Sequence, residues 1–134
     1  MPPPTTVRSP AVRLALPPVE ASVARVRRAL SQAGLSTDLE HTVSLLAGEV
    51  VRNSVKHAGL SDDDRIVVLA ALSDDYARVE VHDGGPGFDP DVRHRTNGFG
   101  LRLVDTLASA WGAERRGGCR VWFEVDRRRR RFAR

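Results

Sequence analysis

The sequence has a single cysteine, Cys119, so no intrachain disulfide can staple the fold. One isolated thiol points to a reducing, cytoplasmic compartment. No apolar run approaches the roughly 20 residues that a membrane-spanning helix needs, and no membrane association is expected. The opening Met1-Pro2-Pro3-Pro4-Thr5-Thr6 lacks the basic segment and apolar stretch of a secretory signal. Lysine is almost missing too. Lys56 is the only one, and arginine carries nearly all of the positive charge. Six arginines, Arg127–Arg131 and Arg134, fall within the last eight residues; without them the net charge of +4 becomes slightly negative. The basic character therefore belongs to a tail, whose plain reading is a solvated terminus, and it argues against a nucleic-acid-binding body.

What is present suits one domain. In 134 residues, 41% are hydrophobic and 28% charged, enough to build a core and a soluble surface. Residues 1–10 contain four prolines and little to bury, predicting a disordered leader. Residues 11–126 form the folded unit and 127–134 the arginine-rich tail. Alternation predicts an edge strand over Val12–Leu16, ended by Pro17-Pro18. Val19, Val23, Val26 and Leu30 recur at helical spacing up to Gly34, and a second helix runs from about Asp38 to Ala58, closed by Gly59. Arg65–Leu72 and Tyr76–His82 read as a hairpin. A polar, glycine-rich loop spans Asp83–Gly98, and Gly84–Asn97 reads as a mobile lid. A third helix follows over about Gly100–Ala110, then strands near Ala113–Arg116 and Cys119–Val125. The order predicts an α+β two-layer sandwich, a mostly antiparallel sheet covered on one face by about three helices.

Three clusters carry chemistry. On the second helix, Leu39, Val43, Leu46 and Val50 form an apolar stripe that includes Asn53, with Glu49 and Lys56 along its edge. A carboxylate, an amide and an ammonium beside a buried face need partners. Mg²⁺ with phosphates would supply them, and so would an ordinary Glu–Lys pair at the solvent edge. In the second cluster an alternating strand delivers Asp83 into Gly84-Gly85-Pro86-Gly87. A carboxylate there can accept a hydrogen bond from an exocyclic amine such as that of adenine, although Asp-Gly turns are also common. In the third, Asn97-Gly98-Phe99-Gly100-Leu101-Arg102 leads glycines into an apolar helix whose first N–H groups can face phosphate. No Gly-Lys-Ser/Thr follows, so it is not a P-loop. His41, His57, His82 and His94 are not spaced as a metal site.

In this order the clusters resemble the N, G1 and G2 boxes of GHKL ATPases, the superfamily of gyrase, histidine kinases and mismatch-repair ATPases. The resemblance rests on Glu49-x-x-x-Asn53 with His57, Asp83-x-Gly85-x-Gly87 and Gly98-x-Gly100-Leu101. It extends from about Leu14 to Val125. Gly100-Leu101-Arg102-Leu103-Val104, Trp111-Gly112 and Val121-Trp122-Phe123-Glu124 look most like the RsbW/SpoIIAB branch of anti-sigma-factor serine/threonine kinases.

That resemblance implies a Bergerat-type fold, ATP and Mg²⁺ as cofactors, and a role for each matching residue. Asn53 matches the Mg²⁺-holding asparagine and Asp83 the adenine-binding aspartate, with Gly85 and Gly87 shaping the pocket. Gly98, Gly100 and the following backbone at Leu101 match the phosphate-binding hinge. Arg102 resembles a phosphate-contacting arginine, Lys56 stands where some relatives reach phosphate, and Glu49 matches the proposed base. Relatives often carry a threonine in the last strand that supports the adenine site, where this chain has Arg120 nearby. The implied function is a serine/threonine protein kinase in a partner switch, binding a sigma factor or comparable regulator and phosphorylating a small antagonist protein. Relatives of this branch are often homodimers. The alternative is a nucleotide-binding interaction module without kinase activity.

Overall fold

Pro17-Pro18 separates β1 (Val12–Leu16) from α1 (Ala21–Ser31), which buries Val23, Val26 and Leu30. The computed structural model describes residues 11–57, 59–84, 101–115 and 118–128. The predicted first helix loses its opening residues. Val19 is exposed, and the Ser22 hydroxyl donates to the Pro17 carbonyl at 2.7 Å, which secures the turn into α1. α2 (Thr37–His57) buries the predicted stripe of Leu39, Val43, Leu46 and Val50. Gly34 and Gly59, with φ of 88° and 67°, take the left-handed backbone just beyond the two helices.

β2 (Ile66–Ser73) and β3 (Tyr76–Asp83) form the predicted hairpin. α3 (Leu101–Leu107) ends earlier than the sequence suggests, and β4 (Ala110–Arg115) starts earlier. The Ala108 N–H still donates to the Val104 carbonyl at 2.8 Å, but the Ser109 N–H donates to Glu124 in β5 (Cys119–Asp126) at 2.7 Å. The sheet thus captures the chain before another helical turn can form, and Trp111-Gly112 lies in a strand.

Among the described residues, five strands pair antiparallel in the order β1-β2-β3-β5-β4. With side chains alternating along each strand, this register divides the sheet into two faces. Ile66, Val68, Val79, Val81, Val121 and Phe123 pack under the helices in one core cluster. Val67, His82, Arg120 and Glu114 form a cross-strand row on the other face, and Leu69, Glu80, Trp122 and Gly112 form the next. The result is the α+β sandwich expected from the sequence. At its far end Arg127, grouped by composition with the tail, is held to the domain. Its N–H donates to the Asp75 carbonyl at 2.8 Å and its guanidinium reaches Asp38 at 3.2 Å.

Candidate functional site

Asp83 is the last residue of β3, paired with Ile66 and Cys119, so its side chain falls on the helix-covered face. It is only 6% exposed. The Ser54 hydroxyl on α2 donates to Asp83 Oδ2 at 2.9 Å, joining the helix to the strand end. Gly118, with φ of 128°, sits against the Asp83 backbone; a β-carbon there would come within 2.4 Å of the Asp83 carbonyl oxygen. Only glycine lets the chain entering β5 approach the end of β3 so closely. A cavity of about 420 Å³ opens at this end of the sheet. Asp83 and Gly118 border it, but most of its wall is the outer-face row of Val67, His82, Arg120 and Glu114, on the side away from the Asp83 carboxylate.

Asn53 immediately precedes Ser54 and is 4% exposed, yet its side-chain nitrogen has no hydrogen-bond partner. An orphaned buried amide is costly. The arrangement fits a metal-bound phosphate, because the amide can present its oxygen by rotating about its last bond. Mg²⁺ commonly takes only one or two protein oxygens beside substrate phosphates and water.

Glu49, one turn earlier, has a side chain 23% exposed and is engaged by a neighbour. Arg52 Nη1 lies 2.7 Å from Glu49 Oε2, and Arg52 Nε lies 3.3 Å from Glu20 Oε1. The Glu49–Lys56 edge pair that the helical spacing allows is not formed: Lys56 is exposed and Glu49 pairs with Arg52. Arg102 is exposed on α3. Leu101 is fully buried in the core, so only its backbone is available to a ligand. Gly85, Gly87, Gly98 and Gly100, and the predicted lid beyond Gly84, lie outside the described residues.

Arg120 stands in β5 near the last-strand position where relatives often carry threonine. Register places it on the face opposite the Asp83 side chain, across from His82 and Glu114, and it pairs with Glu114. Cys119 is the residue opposite Asp83. Sequence reasoning also missed Ser54. Its signal was present, since Ala47, Val50 and Val51 extend a buried stripe that reaches Ser54 at helical spacing.

Residues 15–123 match the family described as the Histidine kinase-like ATPase domain. The chain belongs to this family. A domain of this kind implies ATP as its nucleotide, which suits the buried carboxylate at the end of β3. The serine-protein kinase RsbW of Listeria monocytogenes serotype 4a (strain HCC23) is 32% identical over 93 residues, 58% of this chain and 59% of that protein. RsbW of Listeria innocua serovar 6a is 31% identical with the same coverage. The chain thus spans about three fifths of the length of these curated relatives.

Solved structures share the fold. The RsbU and RsbW domains of Rv1364c from Mycobacterium tuberculosis superpose with a TM-score of 0.65 at 22% identity, covering 86% of this chain and 31% of that one. The blue-light activated histidine kinase EL346 of Erythrobacter litoralis gives 0.55 at 23% identity, over 85% and 43%. Among the described residues, no helix is long and apolar enough to cross a membrane.

Proposed function

We propose that this chain is an ATP- and Mg²⁺-dependent serine/threonine protein kinase of the anti-sigma-factor type. In this reading it binds a sigma factor or comparable regulator and phosphorylates a small antagonist protein. The observation that carries the proposal is the meeting of α2 with the end of β3, where the Ser54 hydroxyl binds the buried Asp83 carboxylate and the preceding residue, Asn53, is buried with an orphaned amide nitrogen. Asp83 reads the purine amine. Asn53 would hold Mg²⁺, which when bound neutralises phosphate charge. Glu49 orients the incoming hydroxyl and takes its proton as the terminal phosphoryl group passes from ATP to that oxygen and ADP leaves. Lys56 and Arg102, both exposed, supply positive charge toward the phosphates.

One observation favours the second reading, a nucleotide-binding module without transfer. Arg52 already holds Glu49 Oε2, and Glu20 holds Arg52, so the base must exchange partners before it can act. Phosphate transfer from labelled ATP to a cognate antagonist separates the two readings. Transfer that slows about 10²–10⁴-fold in Glu49→Gln, with ATP affinity unchanged by calorimetry, supports the kinase. Nucleotide binding without transfer to any antagonist supports the module. Asp83→Asn should weaken ATP binding sharply in either case, since the amide lacks the charge and the second equivalent acceptor.

A further inference from the structure

Two serines of α2 behave differently. The Ser44 hydroxyl donates to the Glu40 carbonyl at 2.8 Å, the ordinary bond of a helical serine to the carbonyl four residues back. Ser54 does not make this bond. Its hydroxyl crosses from α2 to Asp83 Oδ2, a residue 29 positions away, and both partners are buried. An aspartate carboxylate turns broadly about its last side-chain bond. A hydroxyl held on a helix and donating to one oxygen restricts that rotation. A carboxylate has about four acceptor sites, so accepting from Ser54 does not exhaust it.

We propose that Ser54 is the positioning residue that aims Asp83 at the exocyclic amine of an adenine base, and so sets the selectivity of the site for amino-purine nucleotides. This role rests on the proposed reading of Asp83 as the residue that binds the purine amine. Ser54 need not touch the nucleotide. It acts through the carboxylate and, because it follows Asn53, one turn of α2 serves both the base end and the phosphate end of the ligand. A serine that merely ties a helix to a strand would stabilise the domain without affecting which base is bound.

Calorimetric titration with ATP and with inosine triphosphate, which carries a carbonyl oxygen where adenine has its amine, separates these roles. The wild-type protein should prefer ATP. In Ser54→Ala, ATP affinity should fall about tenfold, the order expected for a hydrogen bond to a charged group. Inosine triphosphate affinity should barely change, so the selectivity ratio collapses. Ser54→Thr keeps the hydroxyl and should keep the ratio. If Ser54→Ala lowers the melting temperature yet retains wild-type selectivity, the positioning role is wrong while the adenine reading of Asp83 stands. Loss of selectivity in Ser54→Thr as complete as in Ser54→Ala would overturn the positioning role in the same way. If the wild type does not distinguish the two nucleotides, or binds neither, the adenine reading fails and takes this inference with it.

Discussion

The two faces of the sheet bury their residues by different means. Under α1 and α2 the inner face is apolar, with Val79, Val81, Val121 and Phe123 in the core and Asp83 set at its end. The outer face has no helical layer among the described residues, yet Glu80 at its centre is 0% exposed. An isolated carboxylate at that depth would be strongly penalised. Here Arg78 Nη2 lies 3.3 Å, His82 Nε2 2.9 Å and Arg120 Nη1 3.8 Å from the Glu80 carboxylate. Arg78 also reaches Glu124 at 2.9 Å and lies 4.6 Å from the Trp122 ring centroid. Long side chains lying along the sheet, joined through one carboxylate, do on this face what helices do on the other. Polar burial is thus paired and local around Glu80, whereas Asn53, beside the proposed ligand site, keeps an orphaned amide.

The largest expected effects test that symmetry directly. Phe123→Ala empties a fully buried site on the inner face and should cost about 3–5 kcal/mol of unfolding free energy. Glu80→Ala should approach it at about 3 kcal/mol, because Arg78 and Arg120 lose their shared buried counter-charge. Urea denaturation measures both. A loss below about 1 kcal/mol for Glu80→Ala would mean that the ion pairs do not hold the outer face together. The double change Arg78→Met with Glu80→Leu should lose less than Glu80→Ala alone, since apolar groups of similar volume can replace a buried pair. A double mutant weaker than the single would assign the stability to the charges themselves.

A smaller effect is expected where the outer face is packed rather than charged. A β-carbon on Gly112 would lie 2.6 Å from Trp122 Nε1 and 2.8 and 2.9 Å from two carbons of the same ring. The indole has nowhere to shift without leaving Arg78, so Gly112→Ala should cost about 1–3 kcal/mol. In a Trp122→Leu background the same substitution should cost markedly less, and a double-mutant cycle reads the difference. Equal costs in both backgrounds would show that Gly112 is required by the strand backbone and not by the tryptophan.

The inner face was legible from the sequence and the outer face was not. Apolar spacing located α2 and its buried stripe, and alternation located the β2–β3 hairpin, because each pattern has one period that a single core enforces. Asp83 and Asn53 were readable since both interrupt apolar surroundings with a polar group. Glu80 was not readable. It occupies a polar position of an alternating strand, where a solvated side chain is the ordinary expectation, and its burial depends on Arg78, His82 and Arg120 assembling across β3 and β5. The face taken by Arg120 was unreadable for a related reason: one residue of register decides which face a strand residue takes, and only the pairing Asp83↔Cys119 resolves it. The boundary between α3 and β4 depended on a long-range bond from Ser109 to Glu124, which no local pattern contains.

The smallest effect concerns the edge of the outer face, where Tyr76 lies beneath Arg128, whose guanidinium carbon is 4.4 Å from the ring centroid. Partial burial, followed by the charge of Glu124, raises the tyrosine above its ordinary value of 10.0; Arg78 and Arg128 oppose the shift. A raised value means that the folded protein holds the phenolic proton more tightly than the unfolded chain. The stabilising contribution is therefore fully present below the unfolded value. It is lost as pH rises through the folded value. Between about pH 9 and pH 11, the urea midpoint of the wild type should fall more than that of Tyr76→Phe, which has no phenol to ionise. Tyr76 is the only tyrosine, so phenolate absorbance reports its titration without interference and should appear later in the native protein than in urea. Parallel midpoints for the two proteins, or identical native and unfolded titrations, would show that this edge of the outer face is open to water, unlike the sealed row around Glu80.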